Sequence, residues 1–206
     1  MNTLIEVWKA ELAESRFRVQ AVLSILALIL TLSFFTKFLI WVEARPGVTL
    51  ADPILRMITP VDLTWLTFGL IYVAVLVAIA TLFNKPRDLL LAIQSYTIMV
   101  WARGAMMYLV PLNPPEGLIV LQDPLVQFFG DGNAPTKDLF FSGHTSTMFI
   151  LLLVTRQRKL KAMFLLFTLV VALAVVWQHV HYVIDVAGAP FVAYGCYRLA
   201  MKIEEW

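Results

Sequence analysis

"QAVLSILALILTLSFFTKFLIWV", residues 20–42, holds a single charged side chain, Lys37. About 20 consecutive apolar residues cross a bilayer as a helix, so this stretch sets the fold class: all-α and membrane-embedded. Apolar runs recur at 63–83, 89–110, 139–155, 161–179 and 182–200. The fourth is short by the same rule, and the last two are parted by only a few residues. The expectation is a six-helix transmembrane bundle. Strand-like alternation is absent, which argues against a membrane β-barrel.

Composition agrees. The 206 residues are 60% hydrophobic and 15% charged, and mean hydropathy is +0.80; a soluble domain carries about 25% charged residues. A net charge of +2 without a long basic tract gives no reason to expect nucleic acid. One cysteine, Cys196, excludes an internal disulfide framework. Residues 1–18 mix both charge signs and lack a cleavage-site pattern. They read as a cytoplasmic leader or an interfacial helix with Leu4, Ile5, Trp8 and Leu12 near one face. Residues 19–206 then form one six-span membrane domain.

Basic residues orient the bundle. Lys9, Arg16, Arg18, Lys85, Arg87, Arg156, Arg158, Lys159, Lys161, Arg198 and Lys202 fall on one side if the spans alternate. Arg45, Arg56 and Lys137 fall on the other. The positive-inside rule therefore puts both termini in the cytoplasm and the loops at about 43–62 and 111–138 outside.

At that outer depth four ionisable residues gather: Arg103, His144, His181 and Asp185. Ionisable groups in membrane segments are costly and default to functional hypotheses. Two histidines and the aspartate lie in or beside the two stretches "KDLFFSGHTST" (137–147) and "VVWQHVHYVIDVAG" (175–188). His181 and Asp185 are four apart and share a face of a continuing helix. The carboxylate would orient one ring nitrogen and leave the other as a base or nucleophile. Gly143 beside His144 gives room for a bulky anion, Ser142 and nearby N–H groups can donate to its oxygens, and a helix starting here aims its positive end at it. Arg103 offers a planar fork for phosphate. The simpler alternatives are histidines that bond neighbouring helices and an arginine that snorkels to the interface. A metal site of His144, His179, His181 and Asp185 is weakened because residues i and i+2 face opposite sides of a helix. His179 reads as structural support.

"FFSGHT" followed about 37 positions later by "HYVIDV" resembles the type-2 phosphatidic acid phosphatase superfamily. It is most similar to the sphingomyelin synthase branch, with patterns C-G-D-x-x-F-S-G-H-T and H-E-H-Y-T-x-D-V. Asp138, Phe141, Ser142, Gly143, His144 and Thr145 match the first; His179, His181, Tyr182, Asp185 and Val186 match the second. "RGAMMYLVPLNPP" from Arg103 is similar to a stretch on that branch's third span. The resemblance implies a catalytic triad: His181 attacks phosphorus and forms a phosphohistidine, Asp185 orients it, and His144 protonates the leaving alkoxide. It implies phosphate binding by Arg103, Ser142 and Gly143, support from Asp138, His179 and Tyr182, and no metal or other cofactor. The implied partners are a phospholipid and a water or lipid-alcohol acceptor, in a bundle compatible with a homo-oligomer. The implied activity is head-group transfer or phospholipase-C-like hydrolysis. The alternatives are a lipid phosphate monoesterase, acting on phosphatidic acid or a polyprenyl phosphate, and a non-catalytic lipid-binding or transport protein. The departures include Val180 for the synthase glutamate, Val175 for the arginine of the phosphomonoesterase branch, and no Cys-Gly before Asp138.

Overall fold

A computed structural model of the chain describes residues 4–123 and 134–205. Residues 124–133, part of the loop 113–137 whose sequence reads as a lid or as surface packing, lie outside the described residues. Among the described residues seven α-helices follow one another: α1 (Leu4–Ala13), α2 (Ser15–Ala44), α3 (Thr64–Leu82), α4 (Pro86–Leu109), α5 (Gly143–Val154), α6 (Arg158–Trp177) and α7 (Val183–Glu205). No strand accompanies them among the described residues; one isolated bridge pairs Val48 with Leu112.

Four helices, α2, α3, α4 and α6, are long and apolar enough to cross a membrane. The run at 139–155 yields a helix only from Gly143, because Ser142 is its extended N-cap and accepts the Thr145 N–H. The 12 residues of α5 rise about 18 Å, short of the roughly 30 Å hydrocarbon core. Helix α7 has 23 residues, but Asp185, Gly188, Gly195, Arg198 and Lys202 dilute its hydropathy. Length and composition therefore single out four helices rather than all six runs.

The outside of the bundle is apolar: Leu30, Leu76, Leu173 and Phe191 are 69%, 66%, 65% and 80% exposed. Polar side chains such as Ser95, Gln178, His181 and Asp185 are buried within. This inversion of the soluble pattern is compatible with an integral membrane protein. No hydrophobic drive exists between helices in lipid, so close approach depends on small residues. Helix α7 supplies them at Ala189, Ala193, Cys196 and Ala200, all buried, and it packs against α4 and α5. Helix α4 lies also on α2, whereas α3 rests mainly on α6 and touches α4 little.

At one end, α1 folds back onto the α3–α4 turn. Trp8 donates its indole N–H to the Phe83 carbonyl at 2.9 Å, and Arg87 pairs with Glu11 and Glu14. Two loops cover the other end, the histidine end. Val48 N–H bonds Pro111 O and Asn113 N–H bonds Val48 O, both at 3.0 Å. Gly47 permits this approach, since a Cβ there would stand 2.5 Å from the Leu112 carbonyl carbon.

Candidate functional site

Helix α6 ends at Trp177, and the chain turns through His179 in the left-handed region, φ 58°. The N–H groups of Val180 and His181 fold back to the Val175 carbonyl at 2.9 and 3.2 Å, which satisfies helix-end acceptors as a C-terminal glycine turn usually does. Gln178 pins the turn, accepting the Leu63 N–H at 3.0 Å and donating to Thr64 Oγ1 at 2.9 Å. The Tyr182 hydroxyl donates to Asn113 O at 3.0 Å and accepts from Leu50 N–H at 3.1 Å. Asp52 accepts the Val183 N–H at 2.9 Å, closing the first turn of α7. His181 is therefore carried by a segment clamped from three sides.

His181 Nδ1 stands 3.3 Å from Asp185 Oδ2, and both side chains are fully buried. The same carboxylate oxygen accepts the Tyr182 N–H at 3.1 Å. The i, i+4 pairing expected on one continuous helix is met across a helix start instead, since His181 precedes α7. On the facing element, the Ser142 N–H bonds the Asp185 carbonyl at 3.0 Å. That bond ties the start of α5 to the first turn of α7. The His144 and His181 rings meet edge to face as a result, with centroids 6.0 Å apart.

Arg103 reaches this point from α4 and pairs with Asp138. A Cβ on Gly143 would sit 1.8 Å from Arg103 Nη1 and 2.2 Å from its Cζ. The space that the sequence suggests for an anion beside His144 thus already holds the guanidinium, laid on the first turn of α5. Two positive features, the guanidinium and a helix N-terminus, share one spot, with Asp138 paired to the guanidinium. An anion would be held there by both.

A cavity of about 480 Å³ opens beside them, with Tyr72, Arg103, Asp123, Asp138, Gly143 and His144 around one end. His181 and Asp185 do not line it; they stand behind His144. Among the described residues seven buried side-chain polar atoms lack a partner, and three belong to this constellation: Arg103 Nε, His144 Nδ1 and Asp185 Oδ1. Buried polar atoms are ordinarily satisfied, so their clustering makes this end of the cavity the candidate site.

The structure thus brings Arg103, Asp138, Gly143, His144, His181 and Asp185 together. Ser142 is buried and its hydroxyl accepts from the Thr145 N–H and hydroxyl at 3.4 and 3.2 Å, a cap for α5 rather than a wall of the cavity. His179 turns away, its Nδ1 2.7 Å from Glu116 O, and lines a separate polar cavity with Asp52, Arg56 and Tyr182. Among the described residues no three metal-ligating side chains form a group. Sequence reasoning passed over Asp123, which accepts from the Tyr72 hydroxyl, and Asp52. It also passed over Glu43, which accepts the Thr136 and Lys137 N–H groups at 3.0 Å. Nothing in their local sequence distinguishes them from ordinary loop and span-end carboxylates. No family model and no curated protein matches the chain.

Proposed function

We propose that this chain is an integral membrane enzyme that cleaves a phospholipid head-group phosphoester through a phosphohistidine, as its resemblance to the sphingomyelin synthase branch implies. The carrying observation is that His144 and His181, from two helix starts, stand ring to ring with Asp185 behind one and Arg103 beside the other. In this reading α5 and α7 join α2, α3, α4 and α6 as six spans, both termini are cytoplasmic, and the site faces the periplasm, lumen or outer leaflet.

The chemistry follows from the hydrogen bonds. Asp185 holds the Nδ1 proton of His181 and leaves the Nε2 lone pair for attack on phosphorus. As the new P–N bond forms, the P–O bond to the lipid alkoxide breaks, and His144 gives that oxygen its proton. The Arg103 guanidinium and the α5 N-terminus stabilise charge on the phosphoryl oxygens. In the second half His144 removes a proton from water or a lipid alcohol, whose oxygen takes the phosphoryl group and frees His181. One acid and one base give a bell-shaped dependence of kcat/KM on pH. His144 stands nearer the cavity than His181, which favours one variant reading: the two histidines exchange roles.

Purified protein given phospholipids labelled in the head group, with ceramide or diacylglycerol present or omitted, tests the proposal. Release of phosphocholine or phosphoethanolamine, or its transfer to the added alcohol, is expected, with the rate unchanged by chelator. Release of free phosphate from added phosphatidic acid, with the head-group diesters left intact, would select a lipid phosphate monoesterase. Binding without any turnover would select a transport or binding protein.

A further inference from the structure

The cavity does not end at the polar cluster. It continues as a groove between α3 and α4, past Val75, Ala78, Ile79 and Ala92, to Leu82 and Leu89. From Phe68 to Leu82 on α3, and from Arg103 to Leu89 on α4, the lining covers fourteen residue steps, about 21 Å at 1.5 Å per residue. Two helices thus give the same depth. Half of a bilayer's hydrocarbon core is only about 15 Å, so with its polar end at the outer hydrocarbon boundary the groove would reach past the midplane. Below the polar end its walls are apolar except for Tyr96 and Thr147, and it offers a head group no polar path. Because α3 leans mainly on α6 and touches α4 little, the slot between these two sequence neighbours is left unfilled.

We propose that this groove holds one hydrocarbon tail of the lipid whose phosphate lies at Arg103 and His144, and that its depth sets the preferred tail length. This rests on the reading of the polar end as a lipid phosphoester site. The occupant is argued from continuity: one cavity carries the charged residues at one end and only hydrocarbon-like walls at the other. Ala78 and Ala92 sit part-way down, and their small side chains keep the groove open at that level. Ala92 lies eleven residue steps from Arg103, about 16 Å along α4, so a larger side chain there would plug the deepest fifth. Leu89 lies at the far end.

A photoreactive phosphatidylcholine with a diazirine at the end of one palmitoyl tail tests the groove without requiring turnover. Label is expected on Ile79, Leu82 or Leu89 in the native protein, and Ala92→Phe should abolish it there. Label spread over exposed α2 residues such as Leu26 and Leu30, and unaltered by Ala92→Phe, would overturn the proposal. In the enzymatic arm, Ala92→Phe should lower the palmitoyl-to-octanoyl ratio of kcat/KM at least about tenfold, roughly two methylenes of burial. Leu89→Ala, which only removes atoms and keeps the fold, should raise the ratio for tails longer than palmitoyl; an unchanged tail profile in both variants contradicts a length-setting role. Labelling at the groove floor without turnover of any lipid would uphold the groove and reject the catalytic reading.

Discussion

Two Arg–Asp pairs join α4 to the segment that carries α5, one at each end. Arg103 and Asp138 meet at the histidine end with side chains 10% and 20% exposed; Asp88 and Arg156 meet at the other at 2.7 Å, with the arginine 75% exposed. The bond type is the same, yet the surroundings differ. Asp88 lies in the first turn of α4 and Arg156 just past the end of α5, each where the helix dipole favours it. That pair needs nothing further. Arg103 is instead pressed onto a helix N-terminus, keeps Nε without a partner, and looks into a cavity that reaches His144. One pair staples helices; in the proposed reading the other holds a cation ready for an anion. Identical chemistry becomes structural or functional through burial and what lies beside it.

Substitutions should separate the two ends. The largest effect belongs to His181→Ala, expected to lower turnover of the labelled phospholipid at least about 10³-fold with the fold intact by circular dichroism. Asp185→Asn should lower it about 10²–10⁴-fold by losing the orienting carboxylate. Activity near the native level in either would remove His181 from the chemistry. Gly143→Ala comes next: the added methyl displaces the Arg103 guanidinium from the α5 start, and kcat/KM should fall about 10- to 100-fold. Arg103→Lys should lie in the same range, because a point charge does not replace the planar fork. Arg156→Gln is the control at the far end. An exposed arginine contributes at most about 1 kcal/mol to a pair, so thermal stability should shift slightly and turnover not at all. A loss at Arg156 as large as that at Arg103 would erase the distinction drawn here.

The spanning helices were legible because lipid demands long apolar runs, and α2, α3, α4 and α6 follow theirs closely. The short α5 was legible in part: its run is short for a span and a helix start is expected near His144, but the run itself does not mark where the helix begins. Leu139, Phe140 and Phe141 are as apolar as a span, and only the Ser142 cap decides that the helix starts after them. Convergence of Arg103, His144, His181 and Asp185 could be read from depth alone, since orientation puts all four at one end. Gly143 could not be read in full: its pattern suggests room for an anion, and only tertiary packing reveals that a guanidinium fills it. Asp52 and Asp123 stayed invisible for the same reason. A loop carboxylate gains its meaning from the Val183 N–H or the Tyr72 hydroxyl, which sequence separation hides.

The central claim is that His181 is the nucleophile and His144 the proton donor. The most direct measurement is alkaline quench of native protein turning over phospholipid labelled on phosphorus, followed by mass-spectrometric location of acid-labile phosphate. Label on His181, lost in Asp185→Asn and accompanied by none on His144, is the predicted result. Label on His144, or turnover that leaves no histidine modified under the same quench, would contradict it.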